Sequence, residues 1–70
     1  MKIEAVKNKD NREIKAIVWR DCLYIFKKDE KGCTIFTPDG STMDSSLEVS
    51  SFKNTVVTPI YEGEQVVITF

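Results

Sequence analysis

Histidine is absent from these 70 residues, cysteine and proline occur twice each, and glycine occurs three times. Without histidine the commonest general base is missing, and a cysteine nucleophile would lack its usual activating partner. The acids are scattered singly through turn-like segments, and no spacing brings two carboxylates together. Two thiols fall short of the four Cys or His ligands that a structural zinc site normally takes. Gly32, Gly40 and Gly63 are isolated beside charged or turn residues and belong to no phosphate-cradling pattern. These shortages argue against an enzyme and against any metal or cofactor.

Long apolar runs are missing too. The longest, Ala16 to Trp19 and Cys22 to Phe26, are far short of the roughly 20 residues that a membrane span needs. The first ten residues contain no apolar stretch that could serve as a signal peptide. The expectation is a cytoplasmic protein with reduced thiols and no membrane partner. A single domain covering residues 1–70 follows from the length. Such a chain buries only about 60% of its unfolded surface, so self-association would help to stabilise it.

The net charge of −1 conceals an asymmetry. Residues 1–31 hold nine Lys and Arg against six acids, a balance of +3, whereas residues 32–70 hold Lys53 against five acids, a balance of −4. A basic half could attract phosphate, but the interspersed acids dilute its field and most of its lysines fall in expected turns. Nucleic acid is therefore not the expected partner.

What is present reads as strand and turn. Residues 54–70 hold two runs rich in Val, Ile, Thr and aromatics on either side of Glu62-Gly63-Glu64, the pattern of a hairpin. That hairpin would set Tyr61 against Glu64, Pro59 against Val66 and Val57 against Ile68. Val57, Pro59, Val66, Ile68 and Phe70 would then share an apolar face, with Pro59 marking an edge or a break. Upstream, Lys2 to Val6 reads as a short strand and Asn8 to Arg12 as a polar loop. Ile14 to Phe26 is apolar except at Lys15 and Arg20-Asp21. Arg-Asp is poor chemistry for a two-residue hairpin, which favours Asn and Gly, so a wider loop or a bend is expected there. Asp29 to Gly32 is a turn closed by a glycine bulge, Cys33 to Thr37 a strand, and Pro38-Asp39-Gly40 a further turn. Residues 42–53 fit a strand, or a short helical turn near 46–52 with Ser45 and Glu48 as reciprocal caps.

The fold expected is all-β: a small SH3-like or OB-like barrel, or a curled antiparallel meander, of five to six strands. If the loop at 28–32 closes a simple antiparallel pair, Cys33 lies near Phe26 or Lys28 and Cys22 lies near Thr37, too far apart for a disulfide.

The candidate site comes from a count of faces. With a reversal at Arg20-Asp21, Lys15, Ile17, Trp19, Cys22, Tyr24 and Phe26 share one face, and Ile14, Ala16, Val18, Leu23 and Ile25 share the other. Both are largely apolar, and a single small sheet cannot cover both. One side must close into a barrel, pack on a second layer or meet another molecule. The partner-binding residues expected are Trp19, Tyr24, Phe26, Lys15 and Arg20, because exposed aromatics and arginine make binding hot spots. The corresponding function is a non-enzymatic protein-interaction module, a small regulator or inhibitor of a larger protein. Two alternatives are a nucleic-acid-binding barrel using the basic half and a homo-oligomer subunit that buries its aromatic face.

Overall fold

The computed structural model describes residues 2–6 and 13–69. Seven strands run in chain order: β1 (Lys2–Val6), β2 (Ile14–Trp19), β3 (Cys22–Phe26), β4 (Cys33–Phe36), β5 (Thr42–Ser45), β6 (Thr58–Tyr61) and β7 (Gln65–Thr69). A 3₁₀ turn over Val49–Phe52 stands between β5 and β6. β2 to β5 form an antiparallel meander, and β6 returns beside β2, giving the order β5-β4-β3-β2-β6. β1 and β7 form a separate antiparallel ribbon. The all-β class and the meander expected from the sequence are realised, with one or two more strands than expected. The sheets do not close into a barrel, since β5 and β6 are opposite edges. The loop expected at Asn8 to Arg12, like Phe70, lies outside the described residues.

Three turns build the meander. Between β2 and β3 the chain reverses in two residues, with Trp19 facing Cys22 and positive φ at both Arg20 (49°) and Asp21 (61°). This is the type I′ pattern, whose twist matches that of flanking strands. The wider loop expected from poor turn chemistry is therefore wrong. The ladder on either side holds the turn closed, and the Arg20 guanidinium packs 4.6 Å from the centre of the Trp19 ring. Between β3 and β4, Gly32 takes φ 102°, and its N–H donates to Glu48 Oε2 at 2.8 Å. Between β4 and β5, the Gly40 N–H donates to the Thr37 carbonyl at 3.0 Å, completing the turn read from Pro38-Asp39-Gly40.

Residues 42–53 divide into both alternatives, strand first and helical turn second. The caps differ from those expected: Glu48 precedes the 3₁₀ turn, and its N–H donates to Ser51 Oγ at 3.0 Å. Ser45 instead ends β5, and its hydroxyl accepts the Leu47 N–H at 3.2 Å.

The expected terminal hairpin is also corrected. Tyr61 to Glu64 form a tight turn, closed by a Glu64 N–H to Tyr61 carbonyl bond of 3.2 Å with Gly63 at φ 87°. The runs on either side nevertheless pair elsewhere, β6 with β2 and β7 with β1. Glycine in the second central position is the type II signature, and type II turns splay their flanking strands. Glu64 is buried, and its Oε1 accepts the Tyr61 N–H at 2.6 Å, tying the corner together.

Both faces of the five-stranded sheet are covered by elements outside its ladder. On one face Ile17, Tyr24, Cys33 and Ile35 pack under Phe52 from the 3₁₀ turn. On the other, Ala16, Leu23 and Ile60 pack against Ile3 of β1 and Val66 and Ile68 of β7. The two-sided apolar segment is satisfied by a second layer and a plug.

Candidate functional site

Of the five residues expected to bind a partner, three are drawn into one aromatic cluster. Tyr24 and Phe26, two apart on β3, share a sheet face, Trp19 of β2 joins them opposite Cys22, and Phe52 sits among them. Ring centroids lie 5.8 Å from Trp19 to Phe52, 5.1 Å from Tyr24 to Phe52 and 6.3 Å from Phe26 to Phe52. The inclined, edge-on geometry is the favourable one for aromatic rings. Tyr24 is only 7% exposed, so its expected place on an open surface is wrong: the 3₁₀ turn covers it. Burial, first among the causes, holds the Tyr24 phenol above its ordinary pKa. Trp19 and Phe26 keep part of their rings in solvent.

Lys15 leaves the group altogether. The β2–β6 register shifts between Ile14 and Ala16, and a bulge of this kind reverses the alternation of side chains. Ile14 thus joins the aromatic-side cluster, and Lys15 Nζ donates to the Glu64 carbonyl, just before β7. The aromatic face expected from strict alternation loses its lysine.

Trp19 and Arg20 stay together at the tip of the β2–β3 hairpin. Continuing the register beyond Val18 opposite Thr58 brings Val57 and Val56 alongside them. Val57 packs on the aromatic cluster, whereas Val56 is 96% exposed. Nothing in the alternation of residues marked Val56, because it lies outside any strand. The tip therefore combines a half-buried indole with a guanidinium over it, and the bare Val56 belongs to the segment entering β6 at the same end of the sheet. Stacking uses the flat face of a guanidinium and leaves its N–H edge able to grip a carboxylate.

Two concave regions lie away from the tip. A polar cleft of about 440 Å³ has Glu13, Lys27, Lys28, Glu48 and Glu62 in its walls; the alternating signs make no focused field. A second, apolar groove of about 600 Å³ runs between β7 and the sheet, over Ala16, Leu23 and Ile25.

Cys33 is not placed to act as a nucleophile. Cys33 is fully buried, and burial raises its pKa, against a smaller opposing effect from the Ser45 hydrogen bond. A buried protonated thiol is unreactive. Cys22 faces Trp19 and Cys33 faces Phe26. Four residues of β3 separate them, about 13 Å at strand spacing and beyond disulfide reach; both are free. Among the described residues no three Cys, Asp or Glu converge on one point, and no helix is long and apolar enough to cross a membrane.

No known protein family, curated protein or solved structure matches this chain.

Proposed function

We propose that this protein is a non-enzymatic protein-interaction module, a small cytoplasmic regulator or inhibitor that docks on a larger protein through the Trp19–Arg20 tip. The observation that carries this reading is the Arg20 guanidinium held 4.6 Å over the Trp19 ring on a turn whose two residues both take positive φ. Each non-glycine residue in that region costs of order 1–3 kcal/mol, and such strain clusters at ligand clamps. Tryptophan and arginine are also the side chains most enriched at the energetic centre of interfaces. The partner surface is apolar where it meets Trp19 and Val56, and it carries a carboxylate for Arg20.

The test compares the wild-type chain with Arg20→Asn and Val56→Ser as baits in extract from the native host. Asparagine tolerates positive φ, and Val56 touches little, so both variants keep the fold. A protein retained by the wild type should bind either variant about 30-fold more weakly, the effect of about 2 kcal/mol at a hot spot. Identical retention by all three baits overturns the proposal. So does submicromolar, sequence-dependent binding of an oligonucleotide in about 150 mM salt, which would promote the nucleic-acid reading.

A further inference from the structure

Sheet edges expose unpaired backbone donors and acceptors, and proteins usually obstruct them with charge, proline or cover. Among the described residues four strands have an open edge. β1 carries Lys2 and Glu4, and β5 carries Asp44. β6 carries Pro59, which removes a backbone donor. β7, with the sequence Gln-Val-Val-Ile-Thr, has neither charge nor proline.

This unobstructed edge adjoins the apolar groove. Four consecutive residues of β7, Gln65 to Ile68, border it. Successive strand side chains point to opposite faces, so a cavity that touches four in a row lies along the edge of the strand. Val66 and Ile68 turn inward onto the core, Val67 is 57% exposed and Ile25 on the groove floor is 38% exposed. Lys15 stands at the Gln65 end, where its Nζ reaches the Glu64 carbonyl.

We infer that the free edge of β7 and the groove beside it receive an extended strand from a partner protein, added antiparallel to β7, with apolar side chains over Leu23 and Ile25 and a carboxylate next to Lys15. The edge calls for a strand, because only extended backbone can satisfy a row of N–H and C=O groups. The groove calls for alternate apolar side chains on the inner face. The groove wall also holds Glu64, but its carboxylate is buried and accepts the Tyr61 N–H, so Lys15 supplies the charge complementarity, placing an acid near the end of the incoming strand that meets the start of β7.

A second copy of this chain fits poorly. Antiparallel pairing of two β7 edges requires a two-fold axis perpendicular to the ribbon, which keeps both five-stranded sheets on one side. The groove floor on β3 runs out beneath that edge, so each copy's sheet would occupy the space the other needs. A strand without a sheet beneath it meets no such obstacle.

The probe is an end-blocked peptide, Thr-Val-Thr-Val-Thr-Glu. Opposite β7 in antiparallel register, its two valines face Ile68 and Val66 and its glutamate comes up to Lys15. Titrated into the isotope-labelled 70-residue chain, it should shift the amides of residues 65–69 and of Ile25, and it should slow hydrogen exchange along β7. Ile25→Lys, a change on the groove floor, should weaken binding at least tenfold. The same loss is expected when the second peptide valine is replaced by proline with the protein unaltered. Replacing the peptide glutamate by lysine should weaken binding severalfold. Arg20→Asn should leave it unchanged, which separates this site from the hairpin tip. No binding at millimolar peptide overturns the inference, as do shifts mapping to Trp19 and Arg20. Concentration-dependent dimerisation through β7 overturns it as well, since a second copy would then be the occupant.

Discussion

Phe52 is the only buried residue of the 3₁₀ turn, and the fold depends on it more than its place in a short connecting segment suggests. Its ring meets those of Trp19, Tyr24 and Phe26 at 5.8, 5.1 and 6.3 Å and covers the buried Ile17, Cys33 and Ile35. Truncating a core phenylalanine to alanine typically costs about 3–5 kcal/mol. The upper half of that range is expected here, because three aromatic neighbours lose their partner together and each such pair contributes about 0.5–1.5 kcal/mol beyond area burial. A domain of this length has a total stability of only about 4–10 kcal/mol at the usual figure per residue. Phe52→Ala should therefore lower Tm by tens of degrees, since about 1 kcal/mol shifts it by roughly 4–8 °C at this size. The assay is urea denaturation followed by fluorescence of Trp19, the single tryptophan, which lies against the altered site. Phe52→Leu keeps most of the buried volume but loses the three ring pairs, so it should cost about 1.5–3 kcal/mol, less than alanine. Val49→Ser, at an exposed position of the same turn, should cost almost nothing. A loss below about 1 kcal/mol for Phe52→Ala, with unchanged Trp19 emission, would refute the plugged-face account.

Three further outcomes are expected. Gly32→Ala should destabilise by more than about 2 kcal/mol, because an added Cβ would stand 2.5 Å from the Ser45 carbonyl oxygen at φ 102° and left-handed backbone alone costs about 1–2 kcal/mol; a chemical denaturation midpoint equal to the wild type's would refute the clash. Replacing Arg20-Asp21 by Asn-Gly should raise stability by about 1 kcal/mol, because Asn-Gly suits two positive φ values and the gain is partly offset by the entropy of glycine in the unfolded chain; a lower Tm would show that the Arg20–Trp19 stack outweighs the strain. At alkaline pH, stability should be complete below about pH 9 and should fall as pH rises through the ordinary values of 9.0 for Cys33 and 10.0 for Tyr24, because burial raises both in the folded state and the unfolded chain ionises first. Thermal melts of the wild type and Tyr24→Phe between pH 7 and 10.5 check this, with a shallower alkaline decline expected for the variant.

The features legible in the sequence are those set by local chemistry. Gly32, Gly40 and Gly63 mark turns where left-handed backbone is needed, and all three have positive φ. Alternation over Ile17 to Phe26 assigns faces correctly, because period two is a property of any strand. Pairing was less accessible. The run before Glu62-Gly63 joins β2 and the run after it joins β1, a choice made by which distant edges are open. The one local clue was glycine in the second central position, which favours a type II turn and diverging strands. The bulge at Ile14–Ala16 left a clue as well, a lysine on a face otherwise apolar, but one charge among apolar neighbours does not say which side of the sheet it takes.

The candidate site divides for the same reason. An apolar segment of both parities demands cover on two sides, and strand alternation cannot say whether the cover comes from the same chain. Here most of it does: Phe52 closes over one face, while Ile3, Val66 and Ile68 close over the other. Tyr24 thereby passes from expected surface to core, and the aromatic patch contracts to the hairpin tip. The cover on the second face is a ribbon only two strands wide, too narrow to reach past β7. Ile25 remains partly bare beside it, next to the one strand edge among the described residues without charge or proline. The unmet demand for cover has moved from an aromatic face, where a side-chain hot spot would answer it, to a backbone edge, where only another strand can.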